Sequence, residues 1–294
     1  MNGGSIAVAI FALFAIILLI PPLVWHSKYR NIPVICLISW FIFFNLKTLI
    51  NLCIWSGENY QEVWNGVGYC DVMVKLEAAT SSGTTSAIAA LSLNMYMILR
   101  AKNPIFIDED SKKKNIINLL ICVVTPIFVM VTNYFIQSFR YDILRYGGCT
   151  PIYIPNISLT IPLLTIWSLL WSLVAIIFSG LALHKFFQKR REVSNILKCT
   201  NSNLDFKKFA RLLAFNCLVV VALSIMAIYY FISAIRLPGE SGEYRDMRDR
   251  SKIHYQDTGF SMMGDRIAII GLSFITFLIL GLGSEALEMY KRLL

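Results

Sequence analysis

The chain has 294 residues, 56% of them hydrophobic and only 15% charged, with a net charge of +9. A soluble globular domain carries nearer a quarter charged residues, so this composition points to a polytopic membrane protein. The cations sit between apolar runs instead of forming one face, which fits membrane topology and gives no support to nucleic-acid binding.

A spanning helix needs about 20 mostly apolar residues, and seven stretches meet that need in order. The first, Ser5 to Trp25, is uncharged and is expected to close at Pro21-Pro22. Met1 to Ser5 has no basic segment, and the run after it is long enough to span, so no cleavable signal is expected. The second span, Ile32 to Trp55, is interrupted by Asn45, Lys47 and Asn51. The third, Asp71 to Leu99, is polar in its middle. Ile116 to Gln137, Ile157 to Leu183 and Phe209 to Ile235 follow, and the seventh runs from about Arg266 to Leu287. No repeat, low-complexity tract or soluble domain interrupts them. The expected fold is all-α: one seven-transmembrane helix bundle over residues 1–294.

Orientation follows from the Lys and Arg residues between spans. The loops holding Lys28, Arg100 to Lys114, Lys185 to Arg211 and Lys291-Arg292 carry 17, and the opposite loops carry 8. The richer side is expected to be cytosolic, which puts the amino terminus outside and the carboxyl terminus inside. Cys70 and Cys149 then fall at the outer mouth of the third span and in the second outer loop. There they meet the oxidising surroundings a disulfide needs, and a bridge would pin that loop over the bundle. The sequon Asn156-Ile157-Ser158 abuts the fifth span, which argues against its glycosylation.

Enzyme classes find no positive support. The spans hold no clustered metal ligands, no Gly-rich phosphate cradle precedes a helix, and no His is placed to activate a nucleophile. Neither metal nor cofactor is expected, and the lack of Lys in the seventh span argues against a retinal protein.

Polar residues inside spans are costly in lipid and usually face the bundle interior. Lys47 and Asn51 are four apart and share a helix face. Lys75 and Glu77 lie at similar depth in the third span, so Glu77 could pair with Lys47, while Lys75 either faces a ligand or snorkels outward. Ser81 to Ser86 is a run of six small residues; it either lets helices approach closely or, in a transporter, unwinds to bind an ion. Trp167, Trp171, Tyr229 and Tyr230 either line a pocket for a lipidated ligand or serve as packing aromatics. Gly281, Gly283 and Ser284 permit close packing near the end of the seventh span, ahead of Glu285 and Glu288.

Several stretches, spread in order over nearly the whole chain, carry a family resemblance. They are Pro21 to Ser27 with Asn31-Ile32-Pro33; Tyr69-Cys70-Asp71 through Lys75-Leu76; Phe139-Arg140-Tyr141 through Arg145-Tyr146 to Gly148-Cys149; Lys189-Arg190-Arg191 through Cys199 to Ser202; Phe209 to Leu213; and Leu280 to Leu287. In these the chain resembles the fungal receptors for farnesylated (a-factor-type) mating pheromones, which are class D G-protein-coupled receptors. The resemblance implies a multi-pass plasma-membrane receptor that binds a farnesylated peptide and activates a heterotrimeric G protein upstream of a mating kinase cascade. It also maps an outer-loop disulfide onto Cys70 and Cys149.

On that reading Lys47, Asn51, Lys75, Glu77, Arg140 and Tyr141 meet the peptide, and Trp167, Trp171, Tyr229 and Tyr230 the lipid. Lys189, Arg190, Arg191, Lys207, Lys208 and Arg211 contact the G-protein α subunit, or serve topology alone. A homo-oligomer stays open. The chain departs from the family pattern in lacking a proline within Leu223 to Ala227 and in ending at Leu294 without a long Ser/Thr-rich tail. The alternative class is a small seven-span transporter, supported only by the polar middle of the third span.

Overall fold

The computed structural model describes residues 2–100, 112–154, 156–188, 206–235, 251–257, 259 and 263–282. Its helices are α1 (Gly3–Lys28), α2 (Ile32–Trp55), the short α3 (Tyr60–Val63), α4 (Tyr69–Arg100), α5 (Lys112–Ile136), α6 (Ile157–Gln188), α7 (Phe206–Ile235) and α8 (Gly264–Gly281). Six of them, α1, α2, α5, α6, α7 and α8, are long and apolar enough to cross a membrane.

Their outward faces are hydrocarbon. Phe14 is 54% exposed, Val131 60% and Ile225 63%, surface that water would not tolerate over a whole bundle. The inward faces are narrow stripes, such as Ser5, Ala9, Ala12, Ala15 and Leu19 on α1.

α1 corrects one expectation. Pro21 and Pro22 lie inside the helix, which runs on to Lys28. Proline removes a backbone donor, but ending a helix in an apolar medium would strand more polar groups than the prolines do, so the helix continues. α5 likewise carries Pro126 inside.

α4 is the axis. It contacts α2, α5, α6 and α7 and buries Thr80, Ser82, Thr84, Thr85, Ser86, Ser92 and Asn94, which is why it is less apolar than the six. The run Ser81 to Ser86 does not unwind. Its hydroxyls bond back to the helix, Thr84 to the Thr80 carbonyl at 2.9 Å and Thr85 to the Ser81 carbonyl at 2.7 Å, so the polar atoms are satisfied internally while neighbours approach closely. The unwinding that the transporter alternative would use does not occur in α4.

Gly83 shows how close the approach is, since a Cβ there would overlap the Trp40 indole of α2. Polar links cross the dry interior as well. Asn45 donates to Ser273 at 2.8 Å, joining α2 to α8, and Asn216 of α7 bridges Ser92 of α4 and Ser179 of α6 at 3.0 and 3.1 Å.

At one end of the bundle lies a sheet that sequence patterning did not anticipate. β1 (Tyr141–Leu144) pairs antiparallel with β2 (Gly148–Thr150), and β3 (Ile253–Gln256) adds in parallel to β1, with Tyr141 opposite Ile253. Trp55, Tyr60, Cys70, Val74, Tyr141, Ile143 and Cys149 form a small apolar cluster beneath it.

The Gly83 contact gives a stability prediction. Gly83→Ala should cost about 1–3 kcal/mol through overpacking against Trp40. Gly180→Ala, where added bulk meets open space, should be nearly neutral. Thermal unfolding of the detergent-solubilised variants checks the contrast.

Candidate functional site

Helical spacing puts Lys47 and Asn51 on the face of α2 that looks at the sheet end, and both are buried. The Lys47 ammonium donates to the Cys149 carbonyl at 2.7 Å and lies 2.7 Å from Glu77 Oε2 on α4. The other Glu77 oxygen is 3.7 Å from Arg266 Nη2 on α8. Charges removed from water persist only when paired, and here one carboxylate answers two cations from two helices.

Asn51 donates to the Gly147 carbonyl at 2.7 Å and accepts from the Tyr69 hydroxyl at 3.1 Å. Gly148, at φ +64, leaves no room for a Cβ against Asn51. The disulfide Cys70–Cys149, with Cα atoms 5.5 Å apart, ties the same strand to α4. β2 and the turn before it are therefore fixed from two sides, by α2 through hydrogen bonds and by α4 through a covalent bond.

The rest of the sheet is clasped from above. Arg140 grips Asp71 with two bonds of 2.7 Å, a bidentate geometry that holds the guanidinium pKa above its ordinary value. The Tyr141 hydroxyl donates to the Asn65 carbonyl at 2.9 Å, and burial pushes its pKa up to about 12. Arg145 meets Asp257 at 3.0 Å, and His254 meets Asp142 at 3.0 Å. Burial raises the Asp142 carboxyl, and His254 partly offsets that shift.

Under this lid lies a cavity of about 370 Å³ walled by α4, α6, α7 and α8, with Phe44 of α2 and Pro151 and Tyr153 from the segment after β2. Its apolar wall includes Leu164, Leu223, Met226 and Ile269, and its polar end includes Glu77, Tyr153, Tyr230 and Asp265. α6 contributes through a π-helical turn, Ile161–Thr165, a rare geometry found often at functional sites. Thr132 of α5 steadies that turn by donating to the Leu163 carbonyl at 2.9 Å. Among the described residues no group of three or more His, Cys, Asp or Glu could hold a metal.

The residues singled out from sequence scatter across this architecture. Glu77 and Tyr230 line the cavity, and Lys47 and Asn51 stand behind its lid. Lys75 is exposed, near Asp71, and not on the cavity wall. Arg140 and Tyr141 are in the lid. Trp167 and Trp171 do not line the cavity: Trp167 donates to the Pro162 carbonyl and packs on Phe128, and Trp171 donates to Thr125 at 3.0 Å. Tyr229, at 64% exposed, points outward, because adjacent positions on a helix face different ways.

Lys189, Arg190, Arg191, Gly283, Ser284, Glu285 and Glu288 lie outside the described residues. Lys207 and Lys208 fall in the first turn of α7, and Arg211 is exposed one turn on. Asp265, Arg266, Thr165 and Tyr153 were not anticipated as site residues. An adjacent acid–base pair opening the seventh span was the available signal, but Arg266 reads in sequence as one more loop cation.

Fold and composition together define a multi-pass, mainly helical membrane protein with a disulfide-pinned lid over an internal cavity. The profile of the pheromone A receptor family matches residues 7–294, and the chain belongs to that family. It is 36% identical over 287 residues to the pheromone a factor receptor of Saccharomyces cerevisiae, an alignment covering 96% of this chain and 60% of that protein. It is 25% identical over 305 residues to pheromone receptor 1 of Mycosarcoma maydis, covering 96% and 81%. With the pheromone M-factor receptor of Schizosaccharomyces pombe it shares 26% identity over 212 residues, covering 72% and 56%. The chain thus spans about 60% of the length of its Saccharomyces relative.

Glu77→Gln strands two buried cations and should cost about 3–5 kcal/mol. Lys47→Met should cost less, because Arg266 still faces Glu77, and unfolding curves in detergent would reveal the reverse order if the pairing is misassigned. Cys149→Ser frees β2 from α4 and should lower delivery to the cell surface, read by labelling an exposed epitope on intact cells.

Proposed function

We propose that the chain is a seven-span plasma-membrane receptor for a farnesylated peptide mating pheromone, with its amino terminus outside the cell and its carboxyl end in the cytosol. α4 is the seventh span, its 32 residues long enough to cross although its polar groups make it less apolar. The surplus of Lys and Arg in the loops after α1, α4 and α6 supports this orientation. So does the Cys70–Cys149 bond at the sheet end, since disulfides persist in oxidising surroundings.

The observation that carries the ligand reading is the cavity, which joins an apolar wall to a polar end beneath a fixed lid. A prenyl chain needs hydrocarbon around it, and a peptide needs a few placed polar groups. Ser233, exposed near the end of α7, also lines the cavity, which supports entry at that end of the helix, where a prenyl chain can come in from the lipid it partitions into. In this reading Glu77 and Tyr230 touch the ligand, and Lys47 and Asn51 act by holding the lid. Lys75, Arg140 and Tyr141 meet the part of the peptide that stays above it. The Saccharomyces relative is named for a factor and the Schizosaccharomyces relative for M-factor, which supports a mating peptide here.

Ligand binding shifts the population toward a bundle arrangement whose cytosolic cleft admits a heterotrimeric G-protein α subunit, upstream of a mating kinase cascade. Lys189, Arg190, Arg191, Lys207, Lys208 and Arg211 are the proposed coupling cations. The test is nucleotide exchange on a fungal G protein reconstituted with the full chain. A farnesylated mating peptide should speed exchange, and its unfarnesylated twin should not. Baseline exchange with both would sink the receptor reading.

A further inference from the structure

We propose that Asp265, backed by Tyr230, binds a protonated amine of the ligand, so that the cavity selects amphiphiles whose polar end is cationic. The proposal rests on the receptor reading above and adds the charge of the group that is recognised.

Among the described residues lining the cavity the only charged ones are Glu77 and Asp265, both carboxylates. Glu77 is already answered by Lys47 and Arg266, and those cations stand behind it and off the cavity wall. Asp265 has no cation at salt-bridge distance among the described residues, though it lies within electrostatic reach of Lys47. One of its oxygens accepts the Arg266 backbone N–H at 2.8 Å, and the other has only the Tyr230 hydroxyl at 3.4 Å. That contact is long for O–H···O, and no cation among the described residues forms a salt bridge to Asp265.

A second group points to the same ligand. Thr165, only 7% exposed, lines the cavity from the π turn, and its hydroxyl has no partner among the described residues. A buried polar atom left unmade is costly, and a ligand head group would satisfy it. Apolar lining adjoins these groups, with Met226 and Leu223 one and two turns from Tyr230 and Ile269 one turn from Asp265. An anionic end would meet the Asp265 carboxylate, whose charge no salt bridge among the described residues offsets, so the same geometry that attracts an amine disfavours a carboxylate.

Asp265 also sits in the first turn of α8, where a carboxylate favours the helix. A role confined to that would change stability on substitution, with no effect on which ligand charge is preferred.

The test uses the full chain in lipid nanodiscs at pH 6, with binding to empty discs subtracted. Three radiolabelled compounds are compared: S-farnesylcysteine methyl ester, whose amine is protonated; its neutral N-acetyl twin; and anionic N-acetyl-S-farnesylcysteine. The amine should bind about tenfold or more tightly than the acetyl ester, the range of a charge-assisted hydrogen bond, and the anion should bind most weakly. Asp265→Asn should bring the amine and acetyl esters to equal affinity while leaving the acetyl ester unchanged.

Equal affinities in the unmodified chain overturn the proposal, and so does a preference that survives in Asp265→Asn. Either result leaves the receptor reading standing on nucleotide exchange. Failure of all three compounds to bind removes the prenyl reading of the cavity, and this inference with it. If Asp265→Asn does not reach the membrane, the ranking in the unmodified chain decides alone: amine first and anion last, or the proposal falls.

Discussion

The structure depends on a carboxylate in the wrong medium. Glu77 sits where ionised groups are expensive, and Lys47 of α2 and Arg266 of α8 are brought to it. That requirement fixes where three helices stand relative to one another at the sheet end. Lys47 then spends a further hydrogen bond on the Cys149 carbonyl, so the pair that neutralises the bundle interior also places the lid. Helix packing, lid position and cavity shape all trace to one set of buried charges.

α4 makes this arrangement possible by being small as well as polar. Its Ser and Thr hydroxyls close on their own helix, and Gly83 admits the Trp40 ring. Four helices can therefore lean on one while those hydroxyls keep partners on α4 itself. Where the helices draw apart, between α4, α6 and α7 near the π turn, the space left is the cavity.

Much of the helical frame was legible because hydrocarbon forces a simple code: long apolar runs, charges at their ends and polar residues turned inward. The pairing of Glu77 with Lys47 was open to inference from depth alone, and the Cys70–Cys149 bond from the loops they occupy. The sheet was not legible. Its strands are three or four residues long, and β3 lies more than a hundred residues from its partner, so no periodicity betrays them. The continuation of α1 through Pro21 and Pro22 was misread because the rule against helical proline is written for water. Trp167, Trp171 and Tyr229 illustrate the harder limit: a residue type suited to a pocket says nothing about which way it faces. Asp265 and Arg266 illustrate the opposite one, since buried neighbours at a helix mouth look in sequence like ordinary loop charges.

The π turn in α6 has a consequence for comparing chains of this kind. Such a turn takes one residue more than an α-helical turn to complete about the same rotation, so the surplus residue is absorbed within it. Everything after Thr165, including the Trp171 indole that reaches Thr125, therefore keeps the azimuth that an uninterrupted α-helix would give it. A related chain one residue shorter between Pro162 and Trp167, with a plain α-helical turn there, would align on both sides of the gap and keep the same face of α6 toward the bundle. The gap would remove only the bulge in the helix beside the cavity.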